Sequence, residues 1–158
     1  MISAKDLEII AHLRKNARQK VTAISRSVKI PVTTIYDKIR SHERKFIRKH
    51  TTLLDFSKLG LHTHAAVAIK VDRKARDQMQ SYLMDHPGVN TLYKTNPTPD
   101  FVAEVIFPSA LELQDFTEYL ESQFLGTEIS VFNVVEELKK ESFLTEPSHM
   151  IAEDTNVS

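Results

Sequence analysis

The chain has 158 residues and a mass of 18.1 kDa, enough for one domain or two small ones but too little for a large α/β barrel enzyme. Hydrophobic residues at 41% and charged residues at 27% indicate a folded globular protein. The absence of cysteine excludes disulfides, thiolate zinc sites and cysteine nucleophiles, and it favours a reducing, cytoplasmic location. The apolar runs are far shorter than the roughly 20 residues of a membrane helix, so we expect no membrane partner.

The net charge of zero conceals a separation of charge along the chain. Residues 1–58 hold 14 lysines and arginines against 5 acidic residues, whereas residues 59–158 hold 7 against 16. Electrostatic potentials act over a Debye length of about 8–10 Å, so the two parts meet different partners. The basic part is expected to bind a polyanion. The alternative is a solvated basic face with no partner.

Three helices are predicted in the basic part. Ser3 and Asp6 have the spacing of a capping box that opens a helix ending near residue 15. Residues 21–28 form a short second helix, which stops because Pro31 disfavours the helical region for its predecessor.

A third helix is predicted over residues 31–45. Thr33 and Thr34 are its candidate capping residues, and Ile35, Ile39 and His42 lie on one face. The tight junction between the second and third helices is typical of a helix-turn-helix, whose second member enters the major groove. Residues 46–54 are rich in β-branched and apolar residues and are predicted to form a small hairpin, or wing.

The acidic part alternates strands and helices. Two-residue and helical periodicities predict strand, helix, strand, strand, helix and strand at residues 62–71, 73–86, 89–94, 101–107, 109–125 and 129–135. Ser109 and Glu112 form a second capping-box pattern. Gly88 and Gly126 follow the two helices and are expected to supply the backbone freedom that ends them.

This order is that of a ferredoxin-like βαββαβ fold, so the fold class is α+β: an N-terminal winged helix-turn-helix domain and a ferredoxin-like dimerisation and effector domain. Several strands are apolar on both faces, and only one face has helices to cover it. The other face is expected to be covered by a second subunit, in a dimer or larger homo-oligomer. The expected divisions are residues 1–50 (helix-turn-helix), 51–61 (wing and hinge), 62–145 (ferredoxin-like) and 146–158 (mobile tail).

The third helix carries the candidate DNA contacts. Arg40 is the strongest candidate for a base contact, since a guanidinium can donate two hydrogen bonds to O6 and N7 of guanine. Other residues for base edges, thymine methyls or nearby phosphates are Thr33, Thr34, Tyr36 and Asp37. Contacts to the phosphate backbone are expected from Arg26, Lys38, Arg44, Lys45, Arg48 and Lys49. A symmetric dimer would read two half-sites about 34 Å apart in double-stranded DNA.

Enzymatic patterns are weak. The three glycines are too dispersed for a phosphate-binding loop, and no serine lies in a Gly-x-Ser-x-Gly turn. His62 and His64 share one strand face but have no evident third metal ligand. The acidic group Glu136, Glu137 and Glu141 is typical of a solvated edge. No catalytic residue, metal or cofactor is predicted.

The chain resembles the Lrp/AsnC family of archaeal and bacterial transcription regulators over residues 5–143. The resemblance is carried, in register, by Asp6-Leu-Glu-Ile-Ile10, the helix pair through Ile39, Phe46-Ile47, Leu59-Gly60-Leu61 and His86-Pro-Gly-Val89. It implies a DNA-binding N-terminal domain and an amino-acid-sensing C-terminal domain that dimerises through its sheet. Higher assemblies, octamers included, are also typical of the family.

The chain departs from the family pattern at three places. The effector loop of the family reads Gly-x-x-Asp, whereas Pro97 stands at the glycine here and only Asp100 matches. The resemblance implies effector contacts from Asn96, Thr98 and Asp100, but a proline supplies no N–H donor, so the existence of an effector stays open. Lys29 replaces the glycine of the helix-turn-helix, and His42 replaces a usual leucine.

One enzyme class shares this outline. Sirohaem decarboxylases are similar in build and retain a helix-turn-helix portion without an evident role in DNA binding. The surplus of nine positive charges in residues 1–58 favours the regulator over this alternative.

Overall fold

A computed structural model describes residues 2–146. Its contacts divide the chain into two compact units. Of the described residues, the first unit holds 2–52 together with 138–146, and the second holds 53–137. The expected mobile tail lies, apart from Glu146, outside the described residues. The predicted domain boundaries at residues 50 and 61 stay predictions.

The described part of the first unit contains three helices: α1 (Ala4–Lys15), α2 (Val21–Val28) and α3 (Val32–Lys45). The capping box predicted for α1 is present, since the Ser3 hydroxyl accepts from the Asp6 backbone N–H and the Asp6 carboxylate accepts from that of Ser3. The helices meet through four buried residues, Ile9, Ile24, Val28 and Ile35. Because these recur at helical spacing, one face of each helix faces inward.

The start of α3 differs from the prediction. Pro31 is its N-cap residue, and no side chain caps the helix, so Thr33 and Thr34 do not act as caps. Both lie inside the first turn, where their hydroxyls are past the capping position. Pro31 suits the entry of a helix because its φ is already restricted to the helical range.

The predicted wing is wrong. Residues 46–54 form no strand and no hairpin. This segment contains no glycine, proline, asparagine or aspartate that could turn the chain back on itself. It stays a single run with Phe46, Leu53 and Leu54 exposed.

The second unit contains an antiparallel sheet of four strands in the order β2-β3-β1-β4 and two helices. The elements in chain order are β1 (Thr63–Lys70), α4 (Arg76–Asp85), β2 (Val89–Lys94), β3 (Phe101–Phe107), α5 (Ala110–Gln123) and β4 (Glu128–Asn133). A short 3-10 turn at Ser57–Leu59 precedes them. The βαββαβ order and the fold class are as predicted.

One face of the sheet carries the core. Ala65, Val67 and Ile69 of β1 are fully buried with Met79 and Leu83 of α4, and with Leu113, Phe116 and Leu120 of α5. The opposite face carries Ala66, Ala68, Val102 and Phe132, since residues on a strand alternate between faces. Phe132 is 61% exposed, so this second face is apolar and open in the single chain.

Two details of α4 and α5 correct the predictions. Gly126 has φ +68° after α5 as expected, but the φ of Gly88 is not positive. Gly88 is required for space instead, because a Cβ there would lie 2.6 Å from the Phe107 ring. At the start of α5, the Ser109 side chain does not cap the helix, and its hydroxyl contacts the Glu112 carboxylate. Among residues 2–146, no helix is long and apolar enough to cross a membrane.

Candidate nucleic-acid interface

The outer face of α3 is a stripe of exposed polar side chains. Thr33, Tyr36, Asp37, Arg40 and Arg44 are all exposed. They recur every three or four residues, which places them on one side of a helix. Ile35 and His42, both buried, lie on the other side and fix α3 against its neighbours. The sequence therefore predicted correctly which face of α3 is presented to solvent.

Six of the cations predicted to contact DNA have no internal partner among the described residues. Within residues 2–146, no hydrogen bond or ion pair is made by the side chains of Arg26, Arg40, Arg44, Lys45, Arg48 and Lys49, and each of these residues is exposed. An exposed cation without a partner can bind a phosphate without first breaking an ion pair. Lys29 is another exposed cation, at the end of α2, where it adopts φ +59° at the position that the family fills with glycine.

Lys38 differs from these cations. Its ammonium nitrogen lies 2.8 Å from Oδ1 of Asp6, and the side chain is 32% exposed. His42 Nε2 lies 3.0 Å from the same oxygen. The Lys38 ammonium, with the Ser3 hydroxyl, holds the pKa of the Asp6 carboxyl well below its usual range, so that carboxyl is anionic. Sequence reasoning missed Asp6 as a partner of α3 because the two segments are 32 residues apart.

The three residues implied for an effector differ in burial and in partners. Asp100 is buried, and its carboxylate accepts a hydrogen bond from the Val71 backbone N–H at 2.9 Å and pairs with Arg76 at 2.6 Å. Asp100 thus joins β3 to the end of β1 and the start of α4. Asn96 and Thr98 are exposed. The partner Arg76 was not predicted, since nothing in the local pattern distinguishes it from the other basic residues of its segment.

Thr98 lines a shallow recess of about 220 Å³ on the open face of the sheet. Lys70 and Glu128 form an ion pair there with their side-chain atoms 2.8 Å apart, and the Glu128 carboxylate raises the pKa of Lys70. The remaining lining residues are Ala68, Pro99, Ser130 and Phe132. Both prolines of this loop follow cis peptide bonds and lack an N–H. The recess therefore offers side-chain groups rather than a cradle of backbone amides.

Two of the histidines and carboxylates named above as enzymatic candidates, His64 and Glu141, have structural partners. His64 Nε2 lies 2.8 Å from Oε1 of Glu104 on the open sheet face. Glu141 pairs with Arg14 at 2.9 Å within the first unit. Among residues 2–146, no group of three or more potential ligands could hold a metal ion.

The pattern of the Lrp/AsnC ligand binding domain matches residues 64–143. The chain belongs to the Lrp/AsnC family. The chain is 36% identical over 117 residues to an HTH-type transcriptional regulator of Pyrococcus furiosus, covering 72% of this chain and 78% of the relative. It is 24% identical over 112 residues to the HTH-type transcriptional regulator LrpC of Bacillus subtilis, covering 70% and 78%.

Solved structures of this family have the same fold. Bacillus subtilis LrpC superposes with a TM-score of 0.79 at 20% identity, over 88% of this chain and 98% of LrpC. Escherichia coli AsnC gives 0.75 at 17% identity, over 89% and 96%. As an Lrp/AsnC protein with a helix-turn-helix and a ferredoxin-like domain, the chain is a DNA-binding transcriptional regulator. Nothing in these comparisons supports the sirohaem decarboxylase alternative.

Proposed function

We propose that this regulator binds a near-palindromic site in double-stranded DNA through two copies of α3, one from each subunit of a homodimer. A regulator of this kind acts on cytoplasmic DNA. Thr33, Tyr36, Asp37 and Arg40 approach base edges, and Thr34 contacts a thymine methyl or a phosphate. The phosphate contacts come from Arg26, Arg44, Lys45, Arg48 and Lys49. Lys38 is left out because it pairs with Asp6.

One observation carries this proposal: the face of α3 opposite the core is exposed, and its cations lack partners in the part of the chain that the structure describes. Each cation that neutralises a phosphate releases a counterion, so such a face supplies affinity that falls as salt rises. Arg40 has the fork geometry that distinguishes guanine from the other bases, worth about 1–3 kcal/mol. Phosphate contacts at Lys45 and Lys49 supply register without sequence information.

Assembly through the open sheet face is supported by its composition. Ala66, Ala68 and Val102 are half-buried there, and Phe132 is exposed in the single chain. An apolar patch of this kind is typical of a surface covered by another subunit. Phe132→Asp is expected to shift the sedimenting species toward the monomer, whereas Leu125→Asp, at an exposed position after α5, leaves it unchanged. Equal behaviour of both variants would exclude the open face as the interface.

A small effector, where one acts, is proposed to occupy the recess beside Thr98. The Lys70–Glu128 pair offers one group of each sign, and Ser130 offers a hydroxyl. An amino acid carries the matching pair of charges. Asp100 is not a contact in this proposal, because its carboxylate is buried and held by Arg76 and the Val71 N–H, whereas the Lys70–Glu128 pair is exposed to solvent.

Selection of bound fragments from random duplex DNA, with and without added amino acids, tests the proposal. Arg40→Ala is expected to cost roughly 1–3 kcal/mol on the selected site and to relax the preference at one base position. Lys49→Ala is expected to weaken all duplexes alike and to reduce the salt slope by about 1. If Arg40→Ala lowers affinity equally on every sequence, it has no role in base recognition.

A further inference from the structure

The Asp6 carboxylate joins three parts of the first unit. It belongs to the capping box that starts α1, it pairs with the Lys38 ammonium at 2.8 Å, and it lies 3.0 Å from His42 Nε2. The carboxylate is 18% exposed and the His42 side chain 4% exposed, so the contact to His42 is shielded from water. Hydrogen bonds to a charged acceptor are about twice as strong as those between neutral groups.

The two α3 contacts define the rotation of that helix. Lys38 and His42 are four residues apart and therefore lie one above the other on the same side of α3. Both reach a single oxygen, Oδ1 of Asp6. A turn of α3 about its axis would break both contacts together. The exposed stripe from Thr33 to Arg44 is thereby aimed in one direction.

The contact with Asp6 also pairs the positive charge of Lys38 within the protein. An ammonium paired with a carboxylate inside the protein gains little by moving to a phosphate, since it must give up one anion to meet another. Arg44 and Lys45, one to two turns further along α3, have no such partner among residues 2–146. On α3, Lys38 is therefore held by Asp6, whereas Arg44 and Lys45 are available to bind phosphates.

We propose that Asp6 is a positioning residue for the recognition helix, which fixes the rotation of α3 and withholds Lys38 from the phosphates of DNA. This inference rests on the proposed function of α3. Asp6 itself does not touch DNA in this proposal. It acts through the two α3 side chains that it binds.

The first experiment compares two lysine variants in the full chain, using the salt dependence of binding to a random-sequence duplex. Lys38→Gln is expected to leave the slope of log K against log salt unchanged. The matched control Lys45→Gln is expected to reduce it by about 0.9 for each protomer bound. Equal reductions in both variants would overturn the proposal, because Lys38 would then be a phosphate contact.

The second experiment compares Asp6→Asn with Ser3→Ala, at a temperature where circular dichroism shows both to be folded. Ser3→Ala removes the cap of α1 but leaves the contacts from Asp6 to α3. Asp6→Asn is expected to lower the ratio of selected-site to random-duplex affinity about 10-fold. It is also expected to steepen the salt slope by about 0.9 per protomer as Lys38 is released. Ser3→Ala changes neither quantity.

A folded Asp6→Asn variant with the wild-type ratio and slope would overturn the proposal, as would the same change in Ser3→Ala. If Asp6→Asn does not fold, the comparison of Lys38→Gln with Lys45→Gln decides. If the wild-type protein binds no duplex even at low salt, the proposed function fails. Amide exchange then decides on positioning: faster exchange in α3 of Asp6→Asn than of Ser3→Ala supports it, and equal exchange overturns it.

Discussion

The two units of this protein are stabilised in different ways. Among residues 2–146, the first unit has four buried residues in its core cluster, whereas the second has fourteen. The small core is supplemented by polar contacts between helices, those of Asp6 above all. The exposed face of α3 carries Arg40 and Arg44, which have no partner among residues 2–146. The larger core of the second unit lies on one face of its sheet, and the other face is uncovered. A unit that binds a polyanion and a unit that we propose to bind its own copy thus distribute apolar and charged residues oppositely.

The largest expected effect comes from reducing the smaller core. Ile35→Ala removes a fully buried side chain of α3 and is expected to cost about 2–5 kcal/mol, a large fraction of what four core residues supply. We expect loss of DNA binding with assembly retained, as measured by DNA titration and sedimentation on the same sample.

Ile39→Ala, at a partly buried position of the same helix, serves as the control, and we expect it to lower the stability of the first unit less than Ile35→Ala does. Simultaneous loss of assembly and DNA binding in Ile35→Ala would show that the two units do not fold independently.

Gly88 offers a test confined to the second unit. An added methyl group would lie 2.6–2.7 Å from two ring carbons of Phe107, so Gly88→Ala is expected to destabilise this unit by about 1–3 kcal/mol. Thermal unfolding followed by circular dichroism measures the change. The double variant Gly88→Ala/Phe107→Leu should regain part of the loss. No regain would mean that the Phe107 ring is not what excludes a side chain here.

The smallest effect is expected at Lys29 of the first unit, where a substitution should increase stability rather than lower it. A lysine with φ +59° bears a conformational cost that glycine avoids, so Lys29→Gly is expected to stabilise the first unit by about 1 kcal/mol. The midpoint of urea unfolding measures it. Lys29→Ala keeps the Cβ and should bring no gain, and an equal gain in both variants would assign the effect to the removed charge.

Much of the fold could be predicted from periodicity. The spacing of apolar residues within each element predicts the helices of the first unit and the βαββαβ order of the second. On α3, for example, the spacing of Ile35 and His42 places both on the buried face. Local rules failed where the decisive contact is distant in sequence. Gly88 is explained by the Phe107 ring, 19 residues away. The hairpin predicted at residues 46–54 is absent because the segment has β propensity but no turn residue.

The candidate site divides in the same way. Exposure of Arg40 and Arg44 follows from helical geometry and could be predicted. The pairing of Lys38 with Asp6 and of Asp100 with Arg76 could not, because a side-chain ion pair between separate elements leaves no trace in either local pattern. The first pair removes Lys38 from the predicted DNA contacts, and the second removes Asp100 from the predicted effector contacts.

The run that replaces the predicted wing bears on which operators can be bound. Residues 46–56, all described and none in a strand, connect Lys45 to the turn at Ser57–Leu59. An extended chain spans at most about 3.3–3.6 Å per residue, so this run can reach more than 30 Å, while one base pair adds about 3.4 Å between half-sites. We expect spacers that differ by a base pair to be tolerated, which would widen the set of promoters under one regulator.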